Sequence, residues 1–126
     1  MIIHKVKVYQ SKKFLPKKKQ LAWKLAELAS DNSKLNKESI EMVINRIIDN
    51  ASVAIASFNR KSVISSREMA LKHPRKNGAN LFGVNSKQKF DCEWAAWSNS
   101  TAVRELDFHD TFLAADYSHP GDNIPP

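Results

Sequence analysis

Cysteine, glycine and long apolar runs are what this sequence has least of. Its one thiol, Cys92, has no partner within the chain for a disulfide, which fits a reducing compartment. One thiol also cannot hold an iron–sulfur cluster, which needs several thiolates. The glycines are Gly78, Gly83 and Gly121. They are too few for a phosphate-cradling loop, and neither GxGxxG nor GxxxxGK occurs. No apolar run approaches the ~18 residues of a membrane span. No continuous apolar segment follows the basic N-terminus, so it is not read as a secretory signal. Acids are missing up to Glu27, as in a mitochondrial presequence, but Pro16 and the Lys17–Lys19 triplet interrupt any amphipathic helix there.

What is present suits one small domain: 126 residues, 42% apolar and 26% charged, which is not a disordered composition. The net charge of +7 is unevenly spread. Residues 1–89 carry 19 Lys/Arg against 6 Asp/Glu, a net +13. Residues 90–126 carry Arg104 alone against 7 Asp/Glu, a net −6. A basic front and an acidic, histidine-containing end point to different roles.

The periodicity predicts a mainly α chain. Residues 2–9 alternate like a short strand or extended arm. A first helix is expected over 17–30, with Pro16 at its first turn and Leu21, Trp23, Leu25 and Leu28 on its apolar side. A second helix, capped by Asn36, carries Ile40, Val43, Ile44, Ile47, Ile48, Ala51, Ala54, Ile55 and Phe58 at the spacing of one buried face. A third is expected over 66–72, stopped by His73-Pro74. Asn77-Gly78 signals a turn and residues 80–84 a short strand. A fourth helix should run from Asp91 to Glu105, burying Trp94, Ala95, Trp97, Thr101 and Ala102. Residues 106–126 read as irregular.

The chemistry concentrates in that last segment. Residues 104–122 place five carboxylates, two histidines, a threonine and a serine together. Removing water from a hydroxy acid needs a base for the proton alpha to a carboxylate, an acid for the departing hydroxyl, and groups that hold the carboxylates. His119 is the leading acid/base candidate, because its ordinary pKa near ~6.5 lets it exchange protons at neutral pH. Pro120-Gly121 fixes the backbone beside it and permits close approach to a ligand. In a pocket, Asp107 would orient a histidine or act as a base, and Thr111 would hold a carboxylate. Asp107, Asp110 and Thr111 read equally well as a helix C-terminal turn held by Asx hydrogen bonds. His109, Asp110 and His119 match no standard zinc spacing. Cys92 among tryptophans reads as a buried structural thiol, and Trp94 and Trp97 as core. The lysine-rich front is a solvated surface able to draw in an anionic substrate. Tyr9, Phe14 and Trp23 make no known RNA-binding signature, so a nucleic-acid-binding module is the weaker reading.

Two stretches, Ala102-Val-Arg-Glu-Leu-Asp-Phe-His-Asp-Thr111 and Ala114-Ala-Asp-Tyr-Ser-His-Pro-Gly-Asp-Asn123, closely resemble the active-site segment of the MmgE/PrpD family, in particular its 2-methylcitrate dehydratases. Gln20-Leu-Ala-Trp-Lys24, Glu41-Met-Val-Ile-Asn-Arg-Ile-Ile-Asp-Asn-Ala-Ser-Val-Ala56 and Glu93-Trp-Ala-Ala-Trp97 extend the resemblance over nearly the whole chain. It implies dehydration of 2-methylcitrate to 2-methyl-cis-aconitate in propionate breakdown, with no cofactor and no metal. His119 and Asp107 would be catalytic, and Thr111 and Asp110 substrate-binding, Asp110 the weaker carry-over. His109 varies among relatives. Related members decarboxylate cis-aconitate or dehydrate citrate.

The resemblance further implies a cytoplasmic protein (mitochondrial matrix if eukaryotic) acting on a small tricarboxylate, without nucleic-acid or membrane partners. Members of the family are homodimers with a helical domain and an α+β lid. Residues 1–126 would be the first part of the helical domain, with the remainder and the lid absent. On that expectation the 126 residues alone are inactive, further catalytic histidines and lysines being absent. An inert remnant of the family is the third reading.

Overall fold

The computed structural model describes residues 3–113 and 115–125. The chain divides into two compact units, Met1–Lys37 and Glu38–Pro126.

In the first unit a 3₁₀ turn, Lys17–Lys19, precedes helix α1, Leu21–Ala29. Gln20 is extended and separates them, so the expected single helix over 17–30 is broken at its first third. The arm before α1 forms no strand among the described residues, since alternation supplies a face but no pairing partner. The arm is tied to α1 by polar contacts: Lys24 Nζ donates to Lys5 O at 2.8 Å and His4 Nε2 lies 3.3 Å from Glu27. Ile2 falls outside the described residues.

The second unit is built around two helices, α3 (Lys61–Leu71) and α4 (Cys92–Arg104), with the end of α2 (Lys37–Ala56) set against them. Helix α2 starts just after Asn36 as expected and ends at Ala56, two residues before Phe58, but its burial departs from the expectation. Ile40, Val43, Ile44, Ile47 and Ile48 are 44–59% exposed. The buried residues are Asn50, Val53 and Ala54. Only the end of α2 enters a core, where Ala54 meets Val63 of α3 and Ala102 and Val103 of α4, with Phe58 and Phe82 alongside. Ser57 Oγ lies 2.7 Å from both Ala54 O and Ala102 O, tying the end of α2 to α4.

Helix α3 begins five residues before the expected start. Its Ser-rich sequence hides a small-residue face, on which Val63, Ser66 and Ala70 are buried. Ser66 and Ser98 approach to 3.5 Å across the α3–α4 contact. Asp91 caps α4 by accepting from the Glu93 amide at 3.1 Å, satisfying one of the helix's orphan donors. Helix α4 buries Ala95, Ser98, Asn99, Ala102 and Val103. The expected core residue Trp97 and the expected buried thiol Cys92 are exposed, because the small residues face α3 and the large ones are turned off that seam. Trp94 is half-buried and stacks on His73, 4.8 Å between ring centres.

Between α3 and α4 the extended segment is β1, Pro74–Ala79, bridged to Phe90 from both of its ends. It replaces the strand expected over 80–84, which forms a turn. Gly78 is needed there, since a Cβ would sit 1.9 Å from Phe90 O. Leu81 and Phe90 are buried with Ala70 and Ala95 in a second core cluster. After α4 the chain forms a minimal antiparallel pair, β2 (Phe112–Leu113) and β3 (Tyr117–Ser118), in register Phe112↔Ser118 and Leu113↔Tyr117. A 3₁₀ turn, Pro120–Asn123, follows.

No helix among the described residues is long and apolar enough to cross a membrane.

Candidate functional site

The β2–β3 pair folds the acidic segment back on itself and brings residues 109–110 against 119–122. Asp110 is the centre of what results. Its side chain is 1% exposed and meets three groups. Oδ1 accepts from the Gly121 amide at 2.9 Å and from Asn50 Nδ2 at 3.2 Å. Oδ2 lies 3.3 Å from Arg46 Nη1, an ion pair without hydrogen-bond geometry. A carboxylate this buried requires a nearby cation. Arg46 and Asn50 stand one turn apart on α2, so one face of that helix reaches the carboxylate with both. Asn50 Nδ2 also donates to Arg46 O at 2.8 Å.

His119 lies half-buried over the same segment, with Nδ1 2.9 Å from the backbone oxygen of Asp110. A carbonyl oxygen only accepts, so Nδ1 carries the hydrogen. In the neutral ring the lone pair is then on Nε2. The His109 ring lies 4.8 Å from that of His119, tilted by 38°. Its side chain is fully buried, and its Nε2 is 2.9 Å from Arg104 Nη1. A guanidinium only donates, so Nε2 of His109 accepts and its ring hydrogen sits on Nδ1. That buried Nδ1 has no hydrogen-bond partner among the described residues. Arg104 also lies 3.6 Å from Asp122 and 3.7 Å from Asp107, so one guanidinium links the end of α4 to the 3₁₀ turn.

Gly121 is enclosed by these groups. A Cβ there would come within 2.1 Å of Asn50 Oδ1, 2.6 Å of Asp110 Oδ1 and 2.9 Å of His109 Cδ2. The close approach expected at Pro120-Gly121 is therefore made to protein groups.

The four residues singled out in the sequence are distributed as follows. Asp110 and His119 come together through a backbone carbonyl. Asp107 stands apart from them, its side chain 78% exposed and, among the described residues, paired with Arg104 at 3.7 Å. Its φ is 48°, a left-handed conformation that Asp tolerates at a helix end. Thr111 is exposed beside Asp110. Sequence reasoning missed Arg46, Asn50 and Arg104. Asn50 could have been found, because it interrupts the small apolar stripe Ile47, Ala51, Ala54 with an amide, and a buried amide demands partners.

The more apolar cavities lie elsewhere. One of about 390 Å³ in the first unit is lined by Val6, Val8, Leu15 and Leu21, among others. It offers lysines but no acid–base pair. No group of three or more His, Cys, Asp or Glu among the described residues is arranged to hold a metal ion.

The family model described as MmgE/PrpD N-terminal domain matches residues 19–126. A 2-methylcitrate dehydratase of Salmonella typhi is 44% identical over 48 residues, which are 38% of this chain and 10% of that relative. The matched stretch thus spans about a tenth of the relative's length. No solved structure matches the chain. A family model covering residues 19–126 establishes that the chain belongs to the MmgE/PrpD family.

Proposed function

We propose that this chain contributes to the active site of a 2-methylcitrate dehydratase, with His119 as its proton-transfer group. The observation that carries the reading is the 2.9 Å contact from His119 Nδ1 to Asp110 O. It leaves Nε2 of the neutral imidazole as the basic atom, at a fixed place in a segment shaped by buried contacts. In the dehydration, Nε2 takes the proton alpha to a substrate carboxylate. The electron pair of that C–H bond becomes the new double bond, and the neighbouring hydroxyl leaves as water once protonated.

Thr111, exposed beside Asp110, would hold a substrate carboxylate by its hydroxyl. Asp107, exposed next to Arg104, is kept as a catalytic candidate that substrate would have to approach from the solvent side. In this reading the residues are the first part of a helical domain in a cytoplasmic homodimer (mitochondrial matrix if eukaryotic) that includes a lid. The substrate is a small tricarboxylate. Family membership and the short match to a protein named 2-methylcitrate dehydratase support the reaction class.

The test is ultraviolet absorbance of the conjugated double bond, using protein from the intact reading frame with 2-methylcitrate and citrate compared. His119→Ala should lower kcat by roughly 10²–10⁴-fold, the usual worth of a positioned acid–base group. Unchanged kcat would remove His119 from the mechanism. Release of CO2 from cis-aconitate, with no dehydration, would make the protein a decarboxylase of the same family.

A further inference from the structure

We propose that Asp110 is a positioning residue, and that with Arg46, Asn50 and the Gly121 amide it forms a buried latch that sets the tautomer of His119. The inference rests on His119 being the proton-transfer group and assigns how that group is held.

Three observations converge on it. First, the Asp110 carboxylate has no face left for a substrate: Oδ1 is occupied by Gly121 N and Asn50 Nδ2, and Oδ2 lies against Arg46. Its side chain is 1% exposed. Second, the carboxylate and the carbonyl of this one residue grip the chain on either side of Pro120. The side chain holds Gly121 N, and the backbone oxygen receives His119 Nδ1. A ring nitrogen beside a carbonyl cannot present a lone pair there, so a closed latch admits one neutral tautomer. Third, the space is filled, since a methyl at Gly121 would fall within 2.1 Å of Asn50 Oδ1 and 2.6 Å of Asp110 Oδ1. The two nearest obstructing atoms are the ends of the Asn50 and Asp110 side chains, and the third, at 2.9 Å, is Cδ2 of the His109 ring, so such a methyl must displace the latch groups themselves.

The latch also gives α2 a task its apolar pattern does not suggest. Arg46 supplies the charge that permits a buried carboxylate, and Asn50 supplies the donor that aims it. These residues act through Asp110 and His119 and need not touch substrate.

The test is long-range ¹H–¹⁵N correlation of the His119 ring in the intact chain, with the methyl signals of Val63 and Val103 as a check on the core. The wild type should show a single neutral tautomer with hydrogen on Nδ1. Gly121→Ala and Asp110→Ala should each convert it to the mixed tautomers of a free imidazole while the core signals persist. If Asp110→Ala fails to fold, Gly121→Ala decides. A wild-type ring of mixed tautomers, or a single tautomer retained in Gly121→Ala, overturns the latch.

Kinetics separate the two roles for Asp110. As a positioning residue, Asp110→Asn lowers kcat at unchanged KM. A raised KM at unchanged kcat returns Asp110 to the substrate and overturns the proposal. A protein with no dehydratase turnover but an intact His119 tautomer pattern defeats the functional reading and leaves the latch standing.

Discussion

The two halves of α2 teach opposite lessons about burial. The first half has the strongest helical periodicity in the chain, and its isoleucines and Val43 remain about half exposed. The second half carries Asn50, Val53 and Ala54, with Ser57 just past its end, and these are buried. An apolar stripe states which face of a helix should be covered. It does not say what covers it. Close approach is decided by small side chains: Ala54, Ser57, Ala95, Ser98 and Ala102 let helix backbones come near enough for hydroxyl-to-carbonyl and hydroxyl-to-hydroxyl contacts between helices. The second unit is therefore knit by its smallest residues rather than by its most hydrophobic ones.

That contrast can be broken most forcefully at the seam. Ala102 is 2% exposed between Ala54, Val63 and Val103. Ala102→Leu inserts three carbons where there is no room and should cost about 1–3 kcal/mol or more, read as a fall in the midpoint of thermal unfolding. A stabilised Ala102→Leu would show the seam to be loosely packed. On the other half of α2, Ile48→Lys removes a side chain that is 59% exposed. It should change stability by about 1 kcal/mol or less in the same measurement. A larger loss would mean that this face is covered in solution.

The smallest effect belongs to pH. Asp91 is held below the usual carboxylate range, first by its hydrogen bond from Arg75 and then by the Glu93 amide of its own cap. Glu105 is held low by Ser62 and then by Arg60. Carboxylates depressed on folding stabilise the native state above their unfolded values, ordinarily 3.8 and 4.5. That contribution is lost as pH falls through the lower folded values. Both pairs lie at the protein surface, their carboxylates half-buried and screened by solvent, so the loss should be slight. Denaturation midpoints taken from pH 6 to about pH 3 should show this part of the acid loss reduced in an Arg60→Ala, Arg75→Ala double variant. An identical acid loss in that variant would remove both pairs from the balance.

The chain's helices were legible because their signals are local. The Asp91 cap, the His73-Pro74 stop and the three-four spacing of α2 each act within a few residues, and α2 and α4 fall where these signals place them. What escaped depends on partners distant in sequence. The start of α3 at Lys61 is supported by Glu105, which meets both Arg60 and Ser62. β1 exists because Phe90 bridges it, and Trp97 and Cys92 are exposed because α3 prefers the small side of α4. The site divides in the same way. The gathering of histidines and carboxylates in 104–122 was readable as composition, and His119 stood out by its Pro-Gly neighbour. That Asp110 would turn inward was not readable, since the residues that turn it, Arg46 and Asn50, lie some sixty positions earlier.

The β2–β3 pair has a consequence for how the site persists in time. A ladder of two residue pairs is far below the size that stands alone in water, and Phe112, Leu113, Tyr117 and Ser118 are all exposed. Closing a loop of this length takes on the order of 10–100 ns, and such segments open locally without disturbing a helical core. The histidine segment and the α3–α4 core can therefore exchange with solvent on separate clocks. A molecule bound at His119 would slow the first and leave the second unchanged.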